Sequence, residues 1–119
     1  MRKAAVAMAA AAALMAACGG TGSQPAGSIS VTMSEFKFDP ATITVPHGKV
    51  VFFLQNIGTT SHDMIIQDGA GNRVAGSELL SAGDTFVFTV DNIDAGTYTY
   101  FCDQPGHRDA GMHGTLTVT

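Results

Sequence analysis

The stretch "YFCDQPGHRDAGMHG" near the end of this 119-residue chain carries Cys102, His107 and Met112 in the spacing C-x4-H-x4-M. A thiolate, an imidazole and a thioether are side chains that bind soft and borderline transition metals. Taken singly, each has a plainer role. A buried cysteine behaves as a small apolar residue, a methionine fills a core, and a histidine beside a turn faces water. Their grouping on one loop is what points to a metal. The loop also has the means to gather them: Pro105 and Gly106 form a turn pair that can fold the chain back so that His107 meets the sulfur. "RDAG" then offers a second bend, returning Met112 to the same place.

Three ligands leave a four-coordinate site one short. The candidate fourth is His62, in "NIGTTSHDMII", at the entry to an apolar run. Two histidines, a cysteine and a weakly held methionine are the ligands of the electron-transfer copper site. Zinc would accept the cysteine and histidines but binds a thioether poorly. No second cysteine follows Cys102, which argues against a two-copper centre with bridging thiolates. Nearby residues have smaller parts. Asp63 is a candidate for hydrogen-bonding the ligand loop or for surface solvation. Met64 is assigned to core packing, and His47 and His113 to solvent-facing positions.

The elements that must position these side chains read as β throughout. "SISVTM", "ATITV", "KVVFFLQN", "SHDMIIQ", "TFVFTVD", "GTYTYFC" and "GTLTVT" are short runs rich in Val, Ile, Thr, Phe and Tyr, bounded by Gly, Pro, Asn and Asp. Several alternate with a period of two: Ile43 and Val45 against Thr42 and Thr44, Phe86, Phe88 and Val90 against Val87 and Thr89, Leu116 and Val118 against Thr115 and Thr117. Parity puts Tyr98, Tyr100 and Cys102 on one face. Ala75 to Ser81 is left open between a helical turn, a loop and a short edge strand. Such a run of strands predicts an all-β sandwich or barrel.

The beginning of the chain has a different character. Arg2 and Lys3 precede an alanine-rich apolar stretch, Ala4 to Ala17, shorter than a spanning helix needs. It suits a secretory signal over residues 1–17. "LMAAC" resembles the bacterial lipobox, which makes Cys18 a lipidation site; the alternative is a soluble secreted protein with Cys18 as a stray thiol. Residues 18–27 then form a lipidated cysteine and flexible tether, and 28–119 the folded domain. All ten acidic residues but only four of the six basic ones fall in that domain, without a basic cluster, which argues against nucleic acid. If Cys18 carries lipid, Cys102 has no disulfide partner, and must be buried, metal-bound or reactive.

"VPHGKVVFFLQNIGTTSHDM" followed by "GTYTYFCDQPGHRDAGMHGTLTV" resembles the cupredoxin family of small blue-copper proteins, which includes plastocyanin, auracyanin and rusticyanin. The resemblance covers Ser28 to Thr119, and the loop spacing is longer than in plastocyanin. It implies a Greek-key β-sandwich of about seven or eight strands with one type 1 copper ion near one end. It also implies His62 and His107 as the histidine ligands, Cys102 as the thiolate and Met112 as the axial ligand. The activity it implies is single-electron transfer, without catalysis, to and from redox partner proteins such as a cytochrome or an oxidase, with the edge of His107 as the port. A monomer held to the outer face of a bacterial membrane, periplasmic or at the cell surface, is the expected form. Storage or delivery of copper would use the same ligands and stays open. An oxidase or nitrite reductase fragment would need a second metal site, for which only His47 and His113 remain.

Overall fold

The computed structural model describes residues 23–119. The signal segment, Cys18 and residues 19–22 of the tether lie outside the described residues. Nine strands follow in order: β1 (Ile29–Ser34), β2 (Lys37–Asp39), β3 (Thr42–Val45), β4 (Gly48–Asn56), β5 (Ile65–Gln67), β6 (Arg73–Gly76), β7 (Thr85–Ile93), β8 (Gly96–Phe101) and β9 (His113–Val118). Among the described residues there is no helix.

The strands make two facing sheets, ordered β2-β1-β4-β7 and β3-β9-β8-β5-β6. Most neighbours are antiparallel, but β1 runs parallel to β4 and β3 parallel to β9. Parallel neighbours cannot be joined by a tight hairpin, so the chain must cross between the sheets. The strand pattern predicts a sandwich or barrel, and this mixed, crossing arrangement is the Greek-key sandwich that the family resemblance implies. Two of the nine strands lie outside the seven runs picked out in sequence, and both are short. β2 is the return limb of a hairpin that begins at β1, and β6 is an edge strand that takes in only Ala75 and Gly76 of the segment Ala75 to Ser81 left open from sequence.

The period of two is visible in burial. Ile43, Val45, Phe88, Val90, Leu116 and Val118 are buried, while Thr42, Thr44, Val87, Thr89 and Thr115 are exposed. Val31, Met33, Phe52, Leu54, Ile66, Tyr100 and Leu116 are each fully shielded from solvent and fill the space between the sheets. Burying one such side chain is worth about 1.5–3 kcal/mol. Two tyrosines on β8 also bond to backbone: Tyr98 Oη donates to the Asp94 carbonyl at 2.7 Å, and Tyr100 Oη to the Pro40 carbonyl at 2.7 Å. Tyr100 lies opposite Gly114 in the β8–β9 ladder. Its ring occupies the space a side chain there would need, and a Cβ at Gly114 would also sit 2.6 Å from the Ala41 carbonyl. Glycine at that position is therefore a packing requirement.

The expected strand "SHDMIIQ" is the main local revision. Only Ile65–Gln67 belongs to a ladder, and His62 stands apart in an isolated bridge to Leu80. The pair exchanges two backbone bonds, His62 N–H to Leu80 O at 3.0 Å and Leu80 N–H to His62 O at 2.8 Å. That bridge anchors a loop at the end of the sandwich where the Cys102 segment also lies.

Candidate metal centre

Cys102 follows the last residue of β8, and Met112 precedes the first of β9, so their loop spans two neighbouring antiparallel strands. Its mouth is closed by Cys102 N–H donating to the Met112 carbonyl at 3.2 Å. Inside it, His107 N–H donates to Gln104 O at 3.0 Å, closing a turn with Pro105 second and Gly106, at φ +82°, third. This is the turn for which proline and glycine are suited at those places. One helical turn follows and is stopped by Gly111 at φ +115°, with Gly111 N–H on Arg108 O at 3.0 Å and Met112 N–H on His107 O at 3.1 Å. That pair of bonds is the glycine-ended helix stop. The Arg108 guanidinium lies 4.0 Å from the Phe101 ring centroid, clasping the loop to the outer face of β8.

The loop bearing His62 is built on Asn56, which is buried at the end of β4. Its side-chain amide donates to the Thr60 carbonyl at 2.8 Å and the Leu80 carbonyl at 3.0 Å, while its oxygen accepts from Gly58 N–H at 2.9 Å. All of its side-chain hydrogen-bonding groups thus find partners. The result delivers His62, fully buried, to the sulfur: Cys102 Sγ lies 3.9 Å from His62 Nδ1 and 3.5 Å from His107 Nδ1. The ligating atoms of His62, Cys102 and His107 all fall within 4.8 Å of one another, near enough for one ion to touch all three. Met112 is fully buried in the same core cluster and is tied by backbone bonds to both Cys102 and His107. The Phe36 ring meets the His107 ring edge-on at 4.8 Å, and His107 itself is half-buried.

Burial sets the protonation of the ligands. Burial pushes the Cys102 thiol up, with backbone hydrogen bonds involving Asp63 and Gln104 pulling partly back. Burial also lowers His62, as does the charge of His107 when present, so its imidazole is held neutral with a lone pair to give. Asp63 is buried and accepts Asp103 N–H at 2.9 Å, giving the ligand loop the support expected of it from sequence. Desolvation, followed by its hydrogen bond with Asp103, raises Asp63 to about 6, while that same bond lowers Asp103. Met64 is core, and His47 and His113 are exposed, as expected. Soft thiolate and neutral imidazoles in an apolar pocket beside a buried methionine fit a single copper ion better than zinc or a hard cation. The cofactor of this donor set is one type 1 copper ion.

Glu35 belongs to the site and was not anticipated. It sits in the turn between β1 and β2, and its Oε1 accepts from Thr59 N–H at 2.7 Å, Thr60 N–H at 2.8 Å and the Thr60 hydroxyl at 3.0 Å. The same oxygen is 3.5 Å from His62 Nε2. The backbone amides of Thr60 and Thr59 hold this carboxyl at about 2. Gly58 is confined by it, since a Cβ there would lie 2.7 Å from the carboxylate. The only sequence signal was apolar Met33 and Phe38 on either side of one polar pair, Ser34 and Lys37, in a hairpin whose two-residue turn holds neither glycine nor asparagine.

A family model described as a cupredoxin-like domain matches residues 5–118. Plastocyanin from Dryopteris crassirhizoma is 38% identical over 97 residues, covering 72% of this chain and 91% of that protein. Among solved structures, reduced auracyanin from Roseiflexus castenholzii superposes with a TM-score of 0.71 at 24% identity, covering 81% of this chain and 99% of that one. Auracyanin A of Chloroflexus aurantiacus, described as a "blue" copper protein, gives 0.67 at 27% identity, covering 78% and 100%. With the sandwich, the clustered cysteine and histidines and these matches together, the chain belongs to the cupredoxin family.

Proposed function

We propose that this protein is an extracytoplasmic carrier of single electrons, in which His62, Cys102, His107 and Met112 hold the copper ion. The carrying observation is the convergence of His62 from one loop and Cys102 and His107 from another, with ligating atoms within 4.8 Å of one another. The family's electron-transfer members, plastocyanin and auracyanin, support the class of activity. Copper supplies a one-electron couple when bound. The chain's own part is to fix the ligands and exclude water, so that little rearranges when the charge changes. His62 and Cys102 are fully buried, and Cys102 and Met112 are joined across the loop mouth by a backbone bond. His107, only half-buried beside the partly exposed Phe36, is the exit for the electron toward a redox partner protein.

With four ligands and no open position, the site is that of a carrier rather than an enzyme. Residues 1–17 as a signal, Cys18 as a lipid anchor, the tether to residue 27 and the 28–119 domain complete the reading, placing a monomer on the outer face of a bacterial membrane.

Copper delivery is the second reading, favoured by a relative named copper-resistant cuproprotein in Rubrivivax gelatinosus, 30% identical over 107 residues. One experiment separates the two. The mature protein loaded with Cu(II) is examined by visible absorption and protein-film voltammetry. A strong visible band with a reversible one-electron wave supports the carrier. Ready loss of Cu(I) to a competing chelator without a reversible wave supports delivery, and a colourless copper adduct overturns both the site and the function.

A further inference from the structure

We propose that Glu35 is the positioning residue of the metal centre: acting through the Thr60 hydroxyl, it keeps the proton of His62 on Nε2, frees Nδ1 for the ion, and places a negative charge behind that ligand. Thr60 Oγ1 lies 3.0 Å from Glu35 Oε1 and 3.4 Å from His62 Nε2. A hydroxyl has a single proton, and an ionised carboxylate can only accept. The Thr60 proton therefore goes to Glu35, and toward His62 the same oxygen can only accept. His62 must then carry its N–H on Nε2, which leaves the lone pair on Nδ1, the nitrogen 3.9 Å from Cys102 Sγ. Glu35 Oε1, 3.5 Å from Nε2, favours the same tautomer.

The carboxylate is well placed for this work because it is not free to move. Thr59 and Thr60 amides grip it at 2.7 and 2.8 Å, and Gly58 leaves it room. The adjoining Phe36 packs on His107, so a single two-residue turn braces both imidazoles. A fixed negative charge behind a ligand favours Cu(II) over Cu(I), and so holds the reduction potential lower than the four ligands alone would set it.

The tautomer part stands on the metal-free protein, while the potential part rests on the copper reading above. Wild type, E35Q, E35A and T60V are compared, with backbone amide spectra confirming that each variant is folded. In the metal-free protein, two-bond 15N–1H correlations are expected to show His62 as Nε2–H in wild type and E35Q, and as a tautomer mixture in E35A and T60V. After copper loading, E35Q retains the Cu(I) affinity of wild type while its Cu(II) affinity falls about tenfold, a rise of about 59 mV for one electron. E35A also loses about 10- to 100-fold in copper affinity, as removal of such a support typically does. An Nδ1–H tautomer in wild type, or a folded E35Q with an unchanged potential, overturns the proposal. Should wild type itself fail to take up copper, the function proposed above falls while the tautomer measurement still decides the role of Glu35.

Discussion

Cys102 is the residue on which the chemistry turns, being fully buried and flanked by two imidazole nitrogens at 3.5 and 3.9 Å. Intense colour in a copper protein of this kind comes from thiolate bonded to the metal, so Cys102→Ser is expected to abolish the strong visible band, checked by absorption of the copper-loaded variant. A variant that stayed blue would remove Cys102 from the site. Met112 makes a separate prediction. Its sulfur is the weak, potential-tuning donor in the proposed set, so Met112→Leu keeps copper while the potential rises, measured by voltammetry. These four ligands were legible in sequence because the donor types are rare and three of them share one loop with turn chemistry between them. Glu35 was not. It reaches His62 through space from another hairpin, and an acidic residue in a short turn looks like any solvated one.

At the scale of elements, the two loops do most of the positioning, and Asn56 is where the first can be broken. Asn56→Ala strips partners from the Thr60 and Leu80 carbonyls and from Gly58 N–H. The Leu80 carbonyl keeps its bond from His62 N–H, but the loss at the other two groups costs about 1–3 kcal/mol, read from chemical denaturation, and the loosened His62 loop should weaken copper binding as well. Leu116→Ala on β9 is the contrasting case, a core truncation that costs about 2–5 kcal/mol while leaving the visible spectrum of the surviving fold unchanged. Period-two patterning revealed β3, β7 and β9 because each buries one face. It failed at β2, whose turn has no glycine or asparagine, and at His62, where a single bridge replaces the continuous strand expected there. A local pattern cannot report a contact made by one pair of residues.

For the whole molecule, copper and fold are coupled. An ion that binds only the folded state at 100 times its dissociation constant adds about 2.7 kcal/mol to stability. For a domain of this size that is a rise in melting temperature of at least about 10 °C, measurable by calorimetry before and after removing copper with a chelator. Equal melting of the two forms would mean that the ligands do not meet in the folded state. The sandwich also has two unlike poles. β1 and β4 run side by side toward the metal end, while β9 runs away from it and ends where the Thr119 carbonyl accepts His47 N–H at 2.9 Å. Ser28, just ahead of β1, and Thr119 therefore both lie away from the metal end, and β1 spans about 20 Å of strand from Ser28 to the Glu35 turn. The described chain thus enters the sandwich at the pole away from the metal, so the face over the ligand loops is clear of Gly27 and Ser28, the residues that lead into β1.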